Sequence, residues 1–359
     1  MKSVRRIEKN SAYTGRLPPG CVLCRKGAKL VLLVTGRCRR RCDYCPLSSQ
    51  KKGSDVFYAN ERRIASIPEA MDEAGLMDAL GTGITGGDPL LAIDRTTASI
   101  RALKKRFGGS HHIHLYTSTT DPKRIDRVAK AGLDEIRFHP PLGLWKRLGG
   151  SAFMDATARA RKAGLCVGFE VPALPDRKED LLSLISFADD EELDFVNMNE
   201  LEFSETNWKA LRAQGFDTKD DVSSGVAGSE ELALESLKAN VSVPLHYCSS
   251  AFKDAIQLRR RIGRRARNVI KPHELLTDDG TLLKGVVETT DPEGTARTIS
   301  SEFGVPRRLL WIDSEKKRLE VASWVLEEIA PELGLPSFIV EEYPTADRLE
   351  VEREPLRRR

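Results

Sequence analysis

The chain has 359 residues, 40% hydrophobic and 31% charged, which suits a barrel-sized domain with an appendage or two domains and excludes the apolar-poor composition of a disordered chain. Its 57 basic against 53 acidic side chains leave a net charge of +4, too small to make a polyanion the partner of the whole chain. No run approaches the ~18 to 20 apolar residues that span a bilayer, and residues 1–10 are basic without an apolar segment, so the chain reads as cytoplasmic, with no membrane partner. Five of the seven cysteines fall between positions 21 and 45 in metal-like spacings, which fits a reducing compartment rather than a disulfide framework.

The first feature along the chain is Cys21-Val22-Leu23-Cys24, a pair able to grip one metal. From residue 29, short apolar runs alternate with longer amphipathic segments, the pattern of parallel strands joined by crossover helices. Strands are expected at 29–35, 83–86, 113–117, 135–139, 166–171, 195–199 and 243–247, and helices at 67–80, 96–107, 122–131 and 152–163, with Gly132 and Gly164 as stops. The strand runs are nearly all apolar, as for strands buried on both faces. The expected fold is α/β, a partial or complete (β/α) barrel over residues 29–250. A 28-residue N-terminal extension precedes it, and a basic helix with a small α+β appendage occupies 251–359. In such barrels the working residues sit at the C-terminal ends of strands, which gives a test for each candidate.

The loop after the first strand reads Cys38-Arg39-Arg40-Arg41-Cys42-Asp43-Tyr44-Cys45. Three thiols can hold three irons of a [4Fe-4S] cluster and leave the fourth iron open, whereas an electron-transfer cluster takes four. A small zinc site is the alternative. The second strand runs into Gly86-Gly87-Asp88-Pro89, where glycines permit close backbone approach and a carboxylate can accept from an ammonium group. Thr117 and Ser118 end the third strand as ligands or as helix caps. His139 ends the fourth and, as a lone histidine, reads as structural. Glu170 lies in an apolar run as a site residue or a salt-bridged core acid. Asn197 and Asn199 alternate onto one face of the sixth strand and suit a substrate or cofactor, while Glu202 and Glu205 read as loop acids. His246 and Cys248 share a face of the seventh; with Cys21 and Cys24 they would form a Cys3His set for zinc or an auxiliary iron-sulfur cluster. Cys166 reads as core.

Residues 252–270 form an amphipathic helix with Phe252, Ile256 and Ile262 on one side. Lys253, Arg260, Arg264 and Arg267 form a stripe on the other, beside Arg259, Arg261 and Arg265. That face either binds phosphates of RNA or a nucleotide or is simply solvated. A turn at 277–281, helices at 291–303 and 314–329, β-like runs at 337–343 and 348–352 and a tail, Arg357 to Arg359, complete the chain.

The cysteine triplet, with aromatic Tyr44 before its last member, resembles the signature of the radical S-adenosylmethionine (SAM) superfamily, and ordered segments extend the resemblance over residues 29–205. The resemblance implies a [4Fe-4S] cluster on Cys38, Cys42 and Cys45 and SAM chelated to the open iron. An electron from a donor such as ferredoxin or flavodoxin then cleaves SAM to a 5'-deoxyadenosyl radical that abstracts hydrogen from unreactive carbons. It also implies that Gly86, Gly87 and Asp88, which replaces the usual Glu, meet the SAM amino group, that Thr117 and Ser118 face its carboxylate or ribose, and that the segment around Glu170 packs near adenine. The stretches 20–29, 59–62, 81–87 and 246–250 resemble an archaeal group related to pyruvate formate-lyase activating enzymes, whose own reaction is unassigned. The N-terminal C-x-x-C and the appendage depart from the plan of a glycyl radical activator, which needs little beyond the core. The expected function is therefore a radical SAM enzyme abstracting hydrogen from tRNA, through the basic helix, or from a peptide, through the appendage. A small metabolite held in the barrel, or a non-catalytic metal or iron-sulfur protein, are the alternatives.

Overall fold

The computed structural model describes residues 3–356. An antiparallel pair, β1 (Val4–Arg6) and β2 (Ala12–Thr14), and a short helix, α1 (Pro19–Arg25), lead into β3 (Lys29–Leu33), which carries the small β4 (Tyr58–Ala59) and β5 (Arg62–Arg63) hairpin. There follow α2 (Ile67–Leu76), β6 (Gly81–Thr85), α3 (Ile93–Phe107), β7 (His112–Thr117), α4 (Pro122–Ala131), β8 (Glu135–Phe138), α5 (Ala152–Lys162), β9 (Cys166–Ala173), α6 (Lys178–Asp190), β10 (Phe195–Glu200), α7 (Trp208–Ala213), α8 (Ser229–Ser236) and β11 (Leu245–Cys248). Strands form at all seven expected positions, and β3, β6, β7, β8, β9, β10 and β11 pair in that order, all parallel. The sheet runs β1-β2-β11-β10-β9-β8-β7-β6-β3-β4-β5 with β1 and β5 at its free edges, so the barrel is partial.

Local chemistry sets the crossovers. The Asp121 carboxylate caps α4 by accepting from the N–H groups of Lys123 and Arg124, Pro122 opens the helix with its φ already suited, and Gly132 closes it in the left-handed conformation. One face of the sheet supplies the fully buried Leu30, Leu115, Ile136, Val167, Val196 and Tyr247 to the hydrophobic core. The other face departs from the expected all-apolar strands. Lys29, His114, Glu135, Arg137, Asn197 and His246 are all buried there, each 4% exposed or less. Isolated charges would be intolerable in such a place, but these are paired: Arg137 Nε donates to Glu135 Oε1 at 2.6 Å and Nη1 to Glu170 Oε2 at 2.6 Å. The N-terminal segment belongs to the same body. β2 pairs with β11, and Gly20 N–H donates to Glu135 Oε2 at 3.1 Å. A Cβ on Gly20 would lie 2.4 Å from Arg137 Nη2, so only glycine lets α1 approach this face.

The chain divides into two units, Met1–Leu258 and Arg259–Arg359. The first ends with α9 (Ser250–Phe252) and a wide π-type turn, Lys253–Leu258. The second begins with α10 (Arg259–Val269) and contains β12 (Leu275–Leu276), β13 (Leu282–Val287), α11 (Pro292–Glu302), β14 (Leu310–Asp313), β15 (Arg318–Val321), α12 (Ser323–Leu333), β16 (Ser337–Glu342) and β17 (Glu350–Pro355). Its sheet is antiparallel, ordered β14-β15-β13-β16-β17 with β12 on β13. The helix expected over 314–329 is corrected to a turn, β15 and then α12. Leu319 and Val321 enter the core while Arg318 and Glu320, on the opposite face, are buried by ion pairing, so a strand's alternation is disguised as helical amphipathicity. The tail from Arg357 lies outside the described residues.

Candidate active site at the barrel mouth

The cysteine loop leaves β3 and is seated by backbone bonds. Gly36 N–H donates to the Ser54 carbonyl, Gly53 N–H to the Gly36 carbonyl, Gly87 N–H to the Thr35 carbonyl and Asp88 N–H to the Arg37 carbonyl, all at 2.8 to 2.9 Å. Gly86 and Gly87 make this contact feasible: a Cβ would fall 2.2 Å from Thr35 O at the first and 2.3 Å from Arg37 O at the second. The loop therefore stands beside the β6 end, and Cys38, Cys42 and Cys45 occupy the C-terminal end of the parallel strands. Cys38 is exposed and the other two are half-buried.

Asp88, 2% exposed, is already committed. Oδ1 accepts from Thr117 Oγ1 at 2.7 Å and Leu90 N–H at 3.1 Å; Oδ2 accepts from Thr119 Oγ1 at 2.8 Å and from Ser118 N–H and Oγ, both at 3.2 Å. Thr117 and Ser118 are thus brought to Asp88, with their hydroxyls facing its carboxylate. A cavity of about 600 Å³ opens beside them, lined by Arg39, Arg40, Asp88, Ser118 and Thr119 among others.

Glu170, Asn197 and Asn199 also come together. Glu170 accepts from Arg137, from Asn197 Nδ2 at 3.0 Å and from Asn199 Nδ2 at 2.8 Å. Burial opposes ionisation of Glu170, yet Arg137 and the two amides outweigh it and hold the carboxyl below its usual range. Asn197 Nδ2 also reaches Cys21 Sγ at 3.3 Å, and its Oδ1 lies 3.3 Å from His246 Nδ1. Cys21, Cys24, His246 and Cys248 do not close on one point. Among the described residues the only group with three ligand atoms mutually within 4.8 Å is His273, Glu274 and Glu320, and there the Lys284 ammonium, 2.6 Å from Glu274, already supplies a cation. Cys21 Sγ instead takes hydrogen bonds from Arg137 and Asn197, and Cys248 Sγ from Gln257, while burial pushes the Cys248 thiol up to about 12.

Three residues that sequence reasoning overlooked or set aside hold the cysteine loop. Asn207, fully buried, donates from Nδ2 to the carbonyls of Tyr44 (3.2 Å) and Glu202 (2.9 Å), and Thr206 Oγ1 donates to the carbonyls of Cys45 (3.2 Å) and Leu47 (2.7 Å). His139 Nε2 meets the Tyr44 hydroxyl at 2.9 Å. The only signal for the first two was their place just beyond a strand end rich in polar residues.

Residues 32–143 match the model of the radical SAM superfamily. The chain belongs to that superfamily. A protein of Methanocaldococcus jannaschii that carries the provisional name of a glycyl-radical enzyme activating enzyme is 41% identical over 95% of this chain and 93% of its own length. Residues 280–356 match a domain of unknown function, DUF8061. Similar solved structures include Streptococcus suis SuiB bound to S-adenosylmethionine (13% identity, TM-score 0.39, 62% of this chain and 50% of that one) and HydG, a maturase of the [FeFe]-hydrogenase (15%, 0.36, 51% and 47%). The chain spans about half the length of each. No helix among the described residues is long and apolar enough to cross a membrane.

Membership makes this radical SAM protein an enzyme whose family implies a [4Fe-4S] cluster and SAM. The residues present fit both groups. Three thiols stand on one loop without converging to single-ion spacing, as a polynuclear cluster with separate irons requires, and the adjoining cavity is lined by hydroxyls, a carboxylate and arginines.

Proposed function

We propose that this radical SAM enzyme abstracts a hydrogen atom from a peptide substrate, with Cys38, Cys42 and Cys45 holding the cluster and the cavity beside Ser118 and Thr119 receiving SAM. The observation that supports it most is the position of the three-thiol loop, sewn to the β6 end through Gly87 and Asp88 at the end of the barrel where (β/α) barrels do chemistry. When bound, reduced cluster and SAM supply a 5'-deoxyadenosyl radical. The chain's own part is positional. Gly86 and Gly87 bring backbone close to the loop; with the Asp88 carboxylate occupied by its own hydroxyl partners, the SAM amino group is left to backbone carbonyls there. Ser118 and Arg39 border the cavity as partners for polar and anionic parts of SAM, and Glu170, Asn197 and Asn199 form a rigid polar floor.

A peptide is favoured over RNA for two reasons. The relative that matches nearly the full length is named for activating a glycyl-radical enzyme, a protein substrate. Part of the basic charge of α10 is also engaged within its own unit: Arg259 bonds the Asp278 carbonyl and pairs with Asp279, and buried Arg265 bonds the Pro344 carbonyl. The electron comes in this reading from a ferredoxin or flavodoxin. The test supplies the reconstituted enzyme with SAM, dithionite and a protein fraction from cells grown on dideuterated glycine. Monodeuterated 5'-deoxyadenosine that disappears after protease treatment is expected. Deuterium arriving from the protein-free metabolite fraction, or stimulation abolished by nuclease, would contradict a peptide substrate.

A further inference from the structure

Tyr44 lies between two of the three thiols, one residue before Cys45 and two after Cys42, so whatever fixes its ring also fixes where those sulfurs stand. Its carbonyl is held by Asn207. Its hydroxyl is held by His139, and the geometry of that histidine is determined by its neighbours. His139 Nδ1 is 2.8 Å from the backbone carbonyl of Glu170, which can only accept, so the ring hydrogen is on Nδ1. Nε2 is left with a bare lone pair, and the Tyr44 O–H at 2.9 Å must donate to it. The rings stand 5.8 Å apart and tilted by 53°, so the link is this directed bond rather than a stack. The histidine itself cannot drift: its own N–H donates to the Thr117 carbonyl at 2.8 Å, which ties the end of β8 to that of β7, while Nδ1 ties it to β9.

We infer that His139 is a positioning residue, which transmits the rigid ends of β7, β8 and β9 through the Tyr44 hydroxyl to the loop carrying Cys42 and Cys45. A cluster held by three thiols has one iron whose ligand must come from outside, so small displacements of the remaining sulfurs change its orientation toward that ligand. A packing aromatic alone would leave the loop free to slide in the plane of the ring. A hydrogen bond to an oriented imidazole does not. This role rests on the reading that Cys38, Cys42 and Cys45 hold the cluster.

The test compares full-length wild type, Tyr44→Phe, His139→Ala and His139→Gln, reconstituted anaerobically. The readouts are iron and sulfide per chain, the electron paramagnetic resonance spectrum of the dithionite-reduced cluster with and without SAM, and the rate of iron loss to a chelator. Tyr44→Phe, which keeps the ring and removes only the bond, and His139→Ala are expected to assemble the cluster. They should lose iron several-fold faster and show an altered spectral response to SAM. His139→Gln, whose amide oxygen can accept from Tyr44, should recover part of the wild-type response. Spectra and loss rates in Tyr44→Phe and His139→Ala that match wild type would overturn the role, even with thermal melts confirming that all variants fold. Absence of a cluster in wild type itself would instead remove the reading on which the role stands, and the role with it.

Discussion

Asp88 gathers five hydrogen bonds from Leu90, Thr117, Ser118 and Thr119 on its two oxygens, and four of the five come from the β7 end, about thirty residues away. Leaving a buried donor unsatisfied costs about 1 to 3 kcal/mol, and the surrounding hydroxyls can rotate to recover some of it. Asp88→Ala is therefore expected to lower stability by about 3 kcal/mol, and Asp88→Asn by less, in chemical denaturation of the apoprotein. The glycines before it were legible as a close-approach segment, because no other side chain serves there. The commitment of Asp88 was not, since it depends on hydroxyls that only the fold brings near. Gly87→Ala places a methyl 2.3 Å from the Arg37 carbonyl, a backbone atom that cannot rotate away. It should displace the cysteine loop, so that iron retained after reconstitution falls well below the wild-type level while the far-ultraviolet circular dichroism is retained.

The loop between β10 and α7 does at the scale of an element what Asp88 does at that of a residue. Asn207 donates two hydrogen bonds and accepts a third from Ser204 N–H at 2.7 Å, all buried, so Asn207→Ala should cost about 2 kcal/mol in thermal or chemical melts and speed loss of iron to a chelator. Sequence reasoning found the strand before this loop from its period-two pattern but treated the loop as solvated acids, because a latch to the cysteine loop, some 160 residues earlier, leaves no local mark. All seven parallel strands were legible for the opposite reason: their outward apolar residues alternate locally. Their inward charges were misjudged, and β15 was missed outright, for one cause. Charge normally signals solvent, and here Arg137, Glu135, Arg318 and Glu320 are interior groups that satisfy one another.

At the scale of the molecule, each unit has its own buried ionic network and should betray it through pH. In the first, burial disfavours the Glu135 carboxylate, but Arg137 and His112 outweigh it and hold it down at about 2. In the second, burial of Glu342 is outweighed by Lys284, Lys316 and Arg348, which hold it at about 2 as well. Both values lie below the 4.5 of an unperturbed glutamate, so the stability these groups contribute is complete above about pH 4.5 and is lost as pH falls toward 2. Glu342→Gln should flatten part of that slope in denaturation curves measured between pH 5 and about 2. Lys284, 1% exposed and shared by Glu274 and Glu342, completes the second network, and Lys284→Met should destabilise by about 3 to 5 kcal/mol by stranding those carboxylates.

The central claim is that three thiols at the barrel mouth hold a cluster that turns over SAM. The most direct measurement is of iron, acid-labile sulfide and 5'-deoxyadenosine in anaerobically reconstituted wild type and Cys42→Ala, with SAM and dithionite supplied. About four irons and four sulfides per chain are expected in wild type, with 5'-deoxyadenosine formed by wild type only. Wild type that binds no iron, or 5'-deoxyadenosine formed equally by Cys42→Ala, would contradict the account.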